Sequence, residues 1–128
     1  MPRSSLSFGT LGGAALAMAV GLMAPHPSLA QINPFRAYRG PVLSQADRAA
    51  GQAAAQRLLN QPSPQVGAAE SWEGATSGNA GTFSIERLYE QHGNACRAIR
   101  SAVQFRDGRE RSFVLSACKV KGQWRIVS

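Results

Sequence analysis

Two glycine turns, Asp107-Gly108 and Lys121-Gly122, cut the last third of the chain into three runs of alternating polarity: Cys96–Phe105, Arg109–Val120 and Gln123–Val127. Side chains alternate between the two faces of a strand, so a slip of one residue turns a whole apolar set outward. Turn length and polarity pattern must therefore agree. A two-residue turn at Asp107-Gly108 pairs Arg106 with Arg109 and sets the Ile99 face against the Val114 face, which mixes polarity. A three-residue turn with Gly108 left-handed pairs Phe105 with Arg109 instead. Ile99 then faces Leu115, and Ser101 faces Phe113. A two-residue turn at Lys121-Gly122 pairs Lys119 with Trp124 and Ala117 with Ile126. One face now collects Ile99, Val103, Phe105, Phe113, Leu115, Trp124 and Ile126. The same register places Cys96 opposite Cys118.

Upstream, Ala68–Glu73 and Thr82–Tyr89 read as two more strands. Phe83, Ile85 and Tyr89 are expected on one face of the second. The loop Gly74–Gly81 joins them, tightest at Gly78-Asn79, and Gln91–Asn94 turns the chain into the cysteine-bearing strand. Before Pro62 and Pro64 the period is helical. Ser44 can cap a helix ending at Leu59, with Asp47 three residues on as a weaker form of the capping box. Ala46, Ala49, Ala50, Ala53, Ala54 and Leu58 form its apolar stripe, and a stripe of alanine suits close packing on a sheet. The expected fold is α+β, with one N-terminal helix packed on a curved antiparallel sheet of about five strands over residues 44–128. Residues 31–43, with Pro34, Gly40 and Pro41, read as an extended arm, and a disordered terminus is the preferred reading of it.

No Lys, Arg, Asp or Glu occurs between Arg3 and Arg36. Arg3 is a short positive region, Leu11–Ala24 is an apolar core closed by Pro25 and Pro27, and Ser28-Leu29-Ala30 has the small residues of a cleavage site. This is the pattern of a secretory signal peptide over residues 1–30, with Gln31 as the new N-terminus. The competing reading, a membrane anchor, asks for about 20 apolar residues. No transmembrane helix is expected in the mature chain, and no cysteine stands near the cleavage site to carry a lipid.

An exported chain meets an oxidising compartment, where two cysteines pair. The sequence holds two, too few for a zinc cluster, and a Cys96–Cys118 disulfide is expected. A metal set with His92 needs more ligands than this region offers. His92 lies in a turn without a nucleophile-elbow motif, and Glu70, Glu73, Glu86 and Glu90 read as a polar outer face rather than a carboxylate pair. No catalytic, cofactor or metal residue is assigned. The charge is more telling. The chain has a formal net charge of +7. Cleavage would remove only Arg3, and the basic residues gather late: Arg97, Arg100, Arg106, Arg109, Arg111, Lys119, Lys121 and Arg125, against Asp107 and Glu110. Arg97, Arg109, Arg111 and Lys119 share the parity of the apolar face, near its ends. Such a set could hold phosphates of lipopolysaccharide or of another anionic lipid. The alternative is a solvated basic surface. Export argues against nucleic acid as the partner.

From the helix onward the chain resembles the bacterial 17 kDa surface antigen family, in its Gram-negative C-terminal surface-antigen domain. The residues behind the likeness are Asp47-Arg48, Trp72-Glu73, Ser77-Gly78-Asn79-Ala80-Gly81-Thr82, Tyr89, Gly93, Cys96-Arg97, Ala117-Cys118 and Gly122-Gln123-Trp124. Many members look like lipoproteins with a glycine-rich stretch, and this chain has neither feature. The resemblance implies no activity and no catalytic residues. The expected role is that of an exported, non-enzymatic cell-envelope or surface-antigen protein, in the periplasm or at the outer membrane and without a lipid anchor. A binding module for an anionic envelope component is the alternative, and a small periplasmic enzyme or enzyme inhibitor the third reading.

Overall fold

The computed structural model describes residues 32–128. The signal peptide and cleavage point expected at residues 1–30 lie outside the described residues. One helix, α1 (Gln45–Leu59), precedes five strands: β1 (Ala69–Glu73), β2 (Ala80–Gln91), β3 (Asn94–Gln104), β4 (Glu110–Val120) and β5 (Gln123–Ile126). The strands form one curled antiparallel sheet in sequence order, and α1 lies against β1 and β2. The α+β class and the helix-on-curved-sheet architecture are those expected.

The hairpin registers follow from the turns. The Phe105 N–H donates to the Arg109 carbonyl at 2.8 Å, with Gly108 left-handed at φ 89°. Ile99 faces Leu115, Ser101 faces Phe113 and Cys96 faces Cys118. At the last hairpin Lys119 faces Trp124. Lys121 and Gly122 both take positive φ, 51° and 78°, the twist that a two-residue hairpin needs.

Three expectations need correction. Between Ile85 and Arg87 the pairing of β2 with β3 shifts by one residue. This bulge leaves Glu86 unmatched and moves Tyr89 opposite Cys96, away from the face of Phe83 and Ile85. The buried face of α1 is Asp47, Gly51, Ala54, Ala55, Leu58 and Leu59, while Ala46, Ala49 and Ala53 are exposed. Leu58 and Leu59 supply the apolar area, and they orient the helix more strongly than alanine can.

The arm is neither extended nor slack. Residues 34–37 form a turn, and Pro34, Phe35, Tyr38 and Leu43 are buried. The Phe35 ring meets Trp72 and Tyr38 edge-on at 6.0 and 6.2 Å, and it lies tilted against Phe83 and Phe113 at 5.9 and 6.4 Å. Gly51 makes room for it, since a Cβ there would stand 2.3 Å from the Phe35 ring. Burying one Phe contributes roughly 2–3 kcal/mol, enough to order a short segment.

Candidate functional site

The eight basic residues read from the sequence do not form one patch. Arg97 is the clearest departure. Its backbone sits on the core-facing side of β3, and its side chain is buried. The guanidinium donates to the Leu58 and Leu59 carbonyls at 2.9 Å each, and to the Gln61 carbonyl at 3.4 Å. It also stacks over the Trp124 ring at 4.6 Å. Arg97 thus satisfies the last carbonyls of α1 and places a cation at the negative end of the helix dipole. Burial lowers its pKa, yet a guanidinium stays charged. It is not open to an external anion.

Others are partly committed. Arg100 pairs with Glu86 across the strands. Arg109 binds Asp107 at 2.6 Å, and its backbone N–H and guanidinium hold the Asp107 carboxyl below its ordinary pKa. Lys119, Lys121 and Arg125 are exposed at the far end of β4 and on β5. Arg111 and Lys119 are about 26 Å apart along β4 at ~3.3 Å per residue.

What remains together is the end of the sheet at the β3–β4 turn. A groove of about 400 Å³ is lined by Pro41, Val42, Asn79, Phe105, Arg106, Asp107 and Arg109. The arm brings Tyr38 alongside, where its hydroxyl donates to the Pro41 carbonyl at 2.7 Å. Burial raises the Tyr38 pKa, and the nearby charges of Arg111, Arg109 and Arg48 offset part of that rise. The side chain of Arg111 packs beside Gly40, and that of Arg106 beside Gly78. Arg106 and Arg109 thus line this concavity and Arg111 flanks it beside Gly40, together with Val42, which is 90% exposed. Sequence reasoning had Arg106, Arg109 and Arg111. It missed Tyr38 and Val42, because the arm's fold brings them there.

The floor of this end is held by Asp47, which has no solvent exposure. Its carboxylate accepts from the Ser77 hydroxyl at 2.6 Å, the Asn79 amide at 3.0 Å and the Ser44 N–H at 3.3 Å. The Ser44 hydroxyl accepts from the Asp47 N–H in return, completing a capping box. Burial pushes the Asp47 pKa up, but these hydrogen bonds outweigh it and hold the carboxyl below its ordinary value. Gly74 has to be glycine, because a Cβ there would come within 2.0 Å of the carboxylate. Asn79 passes the restraint on, its side-chain oxygen accepting from the Arg106 N–H at 3.0 Å. The helix start, the β1–β2 loop and the basic turn are thus one hydrogen-bonded unit.

Cys96 and Cys118 form the disulfide read from the register, with Cα atoms 4.0 Å apart. It lies on the sheet face opposite Arg97 and Ile99. His92 is exposed in its turn at φ 51°. Glu70 is bound by Arg57 and Glu86 by Arg100. No three His, Cys, Asp or Glu side chains converge among the described residues. No helix among them is long and apolar enough to cross a membrane. No family model, curated protein or solved structure matches the chain.

Proposed function

We propose that the protein is an exported, non-enzymatic module of the bacterial cell envelope that binds the phosphates of an anionic lipid surface, lipopolysaccharide or acidic phospholipid, through its β3–β4 end. The observation that carries this reading is one open groove lined by Arg106 and Arg109 and flanked by Arg111 beside Gly40, with Asp107 as the only acid among the described residues that line it. Val42 protrudes from the same rim. A cationic rim with an apolar tip suits the interface of a charged bilayer. The kinship with the 17 kDa surface antigen family belongs to the same proposal. Its support is the sequence resemblance alone, carried by the stretches that include Asp47, Ser77 and Asn79.

Vesicle sedimentation tests the reading. The protein should bind phosphatidylglycerol or lipopolysaccharide-containing vesicles at low salt, ignore phosphatidylcholine, and be released by salt as exposed charges are screened. Arg106→Ala with Arg111→Ala should weaken binding roughly thirtyfold, at about 1 kcal/mol for each cation near the surface. Lys119→Ala with Lys121→Ala should leave most of it. Equal effects from the two pairs would replace the site by a diffuse net-charge attraction.

A further inference from the structure

The two edges of the sheet are treated differently. At β1 the Ser71 carbonyl points away from β2, and the Arg57 guanidinium covers it with a 3.1 Å hydrogen bond while also holding Glu70. That edge is blocked by the helix it packs against. At β5, Val120 faces Gln123 across a two-residue turn and Cys118 faces Arg125. The closing pair of such a turn is hydrogen-bonded, so Gln123 and Arg125 bond back to β4. The N–H and C=O groups of Trp124 and Ile126 therefore point to the open side. No proline or lysine stands at these two residues to blunt the edge, and its irregularity comes after them, where Val127 and Ser128 both bond to Ser116.

Beside this edge runs a groove of about 350 Å³, bounded by Gln123–Ile126 on one wall and by Ile32, Asn33 and Arg36 of the arm on the other. The arm stands alongside without pairing. Its backbone bonds are internal, Arg36 N–H to the Asn33 carbonyl and Tyr38 N–H to the Phe35 carbonyl, and none joins it to β5 among the described residues. Arg36 and Arg125 are exposed on opposite walls. Neither has a carboxylate partner among the described residues.

We infer that this groove receives an extended polypeptide segment bearing carboxylates, which adds to β5 as a sixth strand, its backbone bonding to Trp124 and Ile126 and its acids to Arg36 and Arg125. Strand addition supplies main-chain hydrogen bonds irrespective of sequence, and side chains on alternate positions supply the selection. The two arginines set the sign of that selection. This site lies on a different edge from the lipid-binding groove and does not depend on it.

The probe is a short amidated peptide of alternating valine and glutamate, labelled with fluorescein and titrated with the protein by anisotropy. Two N-methylated forms, blocked at odd or at even amides, separate backbone pairing from charge attraction. A strand offers bonding groups to a given edge from alternate residues only. One blocked form should bind like the parent and the other should lose binding. Lysine in place of glutamate, or Arg36→Glu with Arg125→Glu in the protein, should weaken binding at least about tenfold. Bound peptide should slow amide hydrogen exchange at Trp124 and Ile126. The inference is overturned by equal binding of the two blocked forms, by unchanged exchange at those amides, or by no binding up to about 1 mM. It is also overturned if the protein alone sediments as a dimer with those amides already protected, because a second copy is then the occupant.

Discussion

Removing the Asp47 carboxylate is expected to do more damage than any other single polar truncation in the domain. Asp47→Ala leaves the Ser77 hydroxyl, the Asn79 amide and the Ser44 N–H without their acceptor. A hydrogen bond to a charged group contributes about 1.5–3 kcal/mol, and the cap alone about 1 kcal/mol. The three share one acceptor, so their sum overstates the loss. An expected cost of about 3–5 kcal/mol is a large part of the ~5–10 kcal/mol available to a domain of this size. Urea unfolding followed by tryptophan fluorescence should show it, and the melting temperature should fall by about 20 °C. A double-mutant cycle with Asn79→Ala should return a coupling of about 1 kcal/mol or more. The sign with pH is fixed by the lowered pKa. The unfolded chain takes up the Asp47 proton first as pH falls, so the stabilisation is full above the ordinary carboxylate range. It is lost as pH drops through the folded-state pKa. Asp47→Ala should therefore flatten the acid limb of the stability profile. A loss under about 1 kcal/mol, or an acid limb unchanged by the substitution, would refute the assignment of this network as the clamp beneath the basic turn.

Arg97→Met keeps the stem but strips three carbonyls of their donor, and should cost about 2–4 kcal/mol in urea unfolding; Arg97→Lys should recover only part of it, since an ammonium cannot reproduce the planar fork. Cys96→Ser should remove roughly 3 kcal/mol and expose one titratable thiol at Cys118. Ser101 is buried with its hydroxyl unpartnered, so Ser101→Ala should leave stability unchanged or raise it by up to about 1 kcal/mol, and a clear loss in calorimetry would mean that the hydroxyl has a partner. Val42→Ser should weaken binding to anionic vesicles without moving the melting temperature, because Val42 is almost wholly exposed.

The hairpins were legible because glycines at fixed places allow few turns, and only one combination kept Ile99, Leu115 and Trp124 on a common face. That register also carried the cysteine pairing. The face of α1 was not legible by apolar periodicity. Alanine is small enough to sit on either side, and the buried face includes Asp47 and Gly51, which a search for hydrophobic residues passes over. The chemistry of Asp47 lies in partners thirty or more residues away, which no local pattern encodes. Arg97 did leave a trace, since its parity puts it on the core face. A buried charge at that position requires a cluster of acceptors, and the end of a helix supplies one. The bulge at Glu86 left no such trace, so Tyr89 was placed on the wrong side. The basic end was half legible: its hairpin arginines are close in sequence, while Tyr38 and Val42 arrive only once the arm has docked.

That docking bears on the order in which the protein acquires its structure. Every strand pairs with the one next to it in sequence, so the sheet can zip up through short loops, which close fast and at small entropic expense. Phe35 is different, because its neighbours Trp72, Phe83 and Phe113 span three strands. Its socket does not exist until β4 has joined the sheet. The first described residues to be synthesised are thus among the last to find their place. Substitutions at Phe35 should speed unfolding while scarcely slowing folding, the signature of contacts absent from the transition state. The groove that the arm completes would then open and close with a latch of its own, ahead of the unfolding of the sheet.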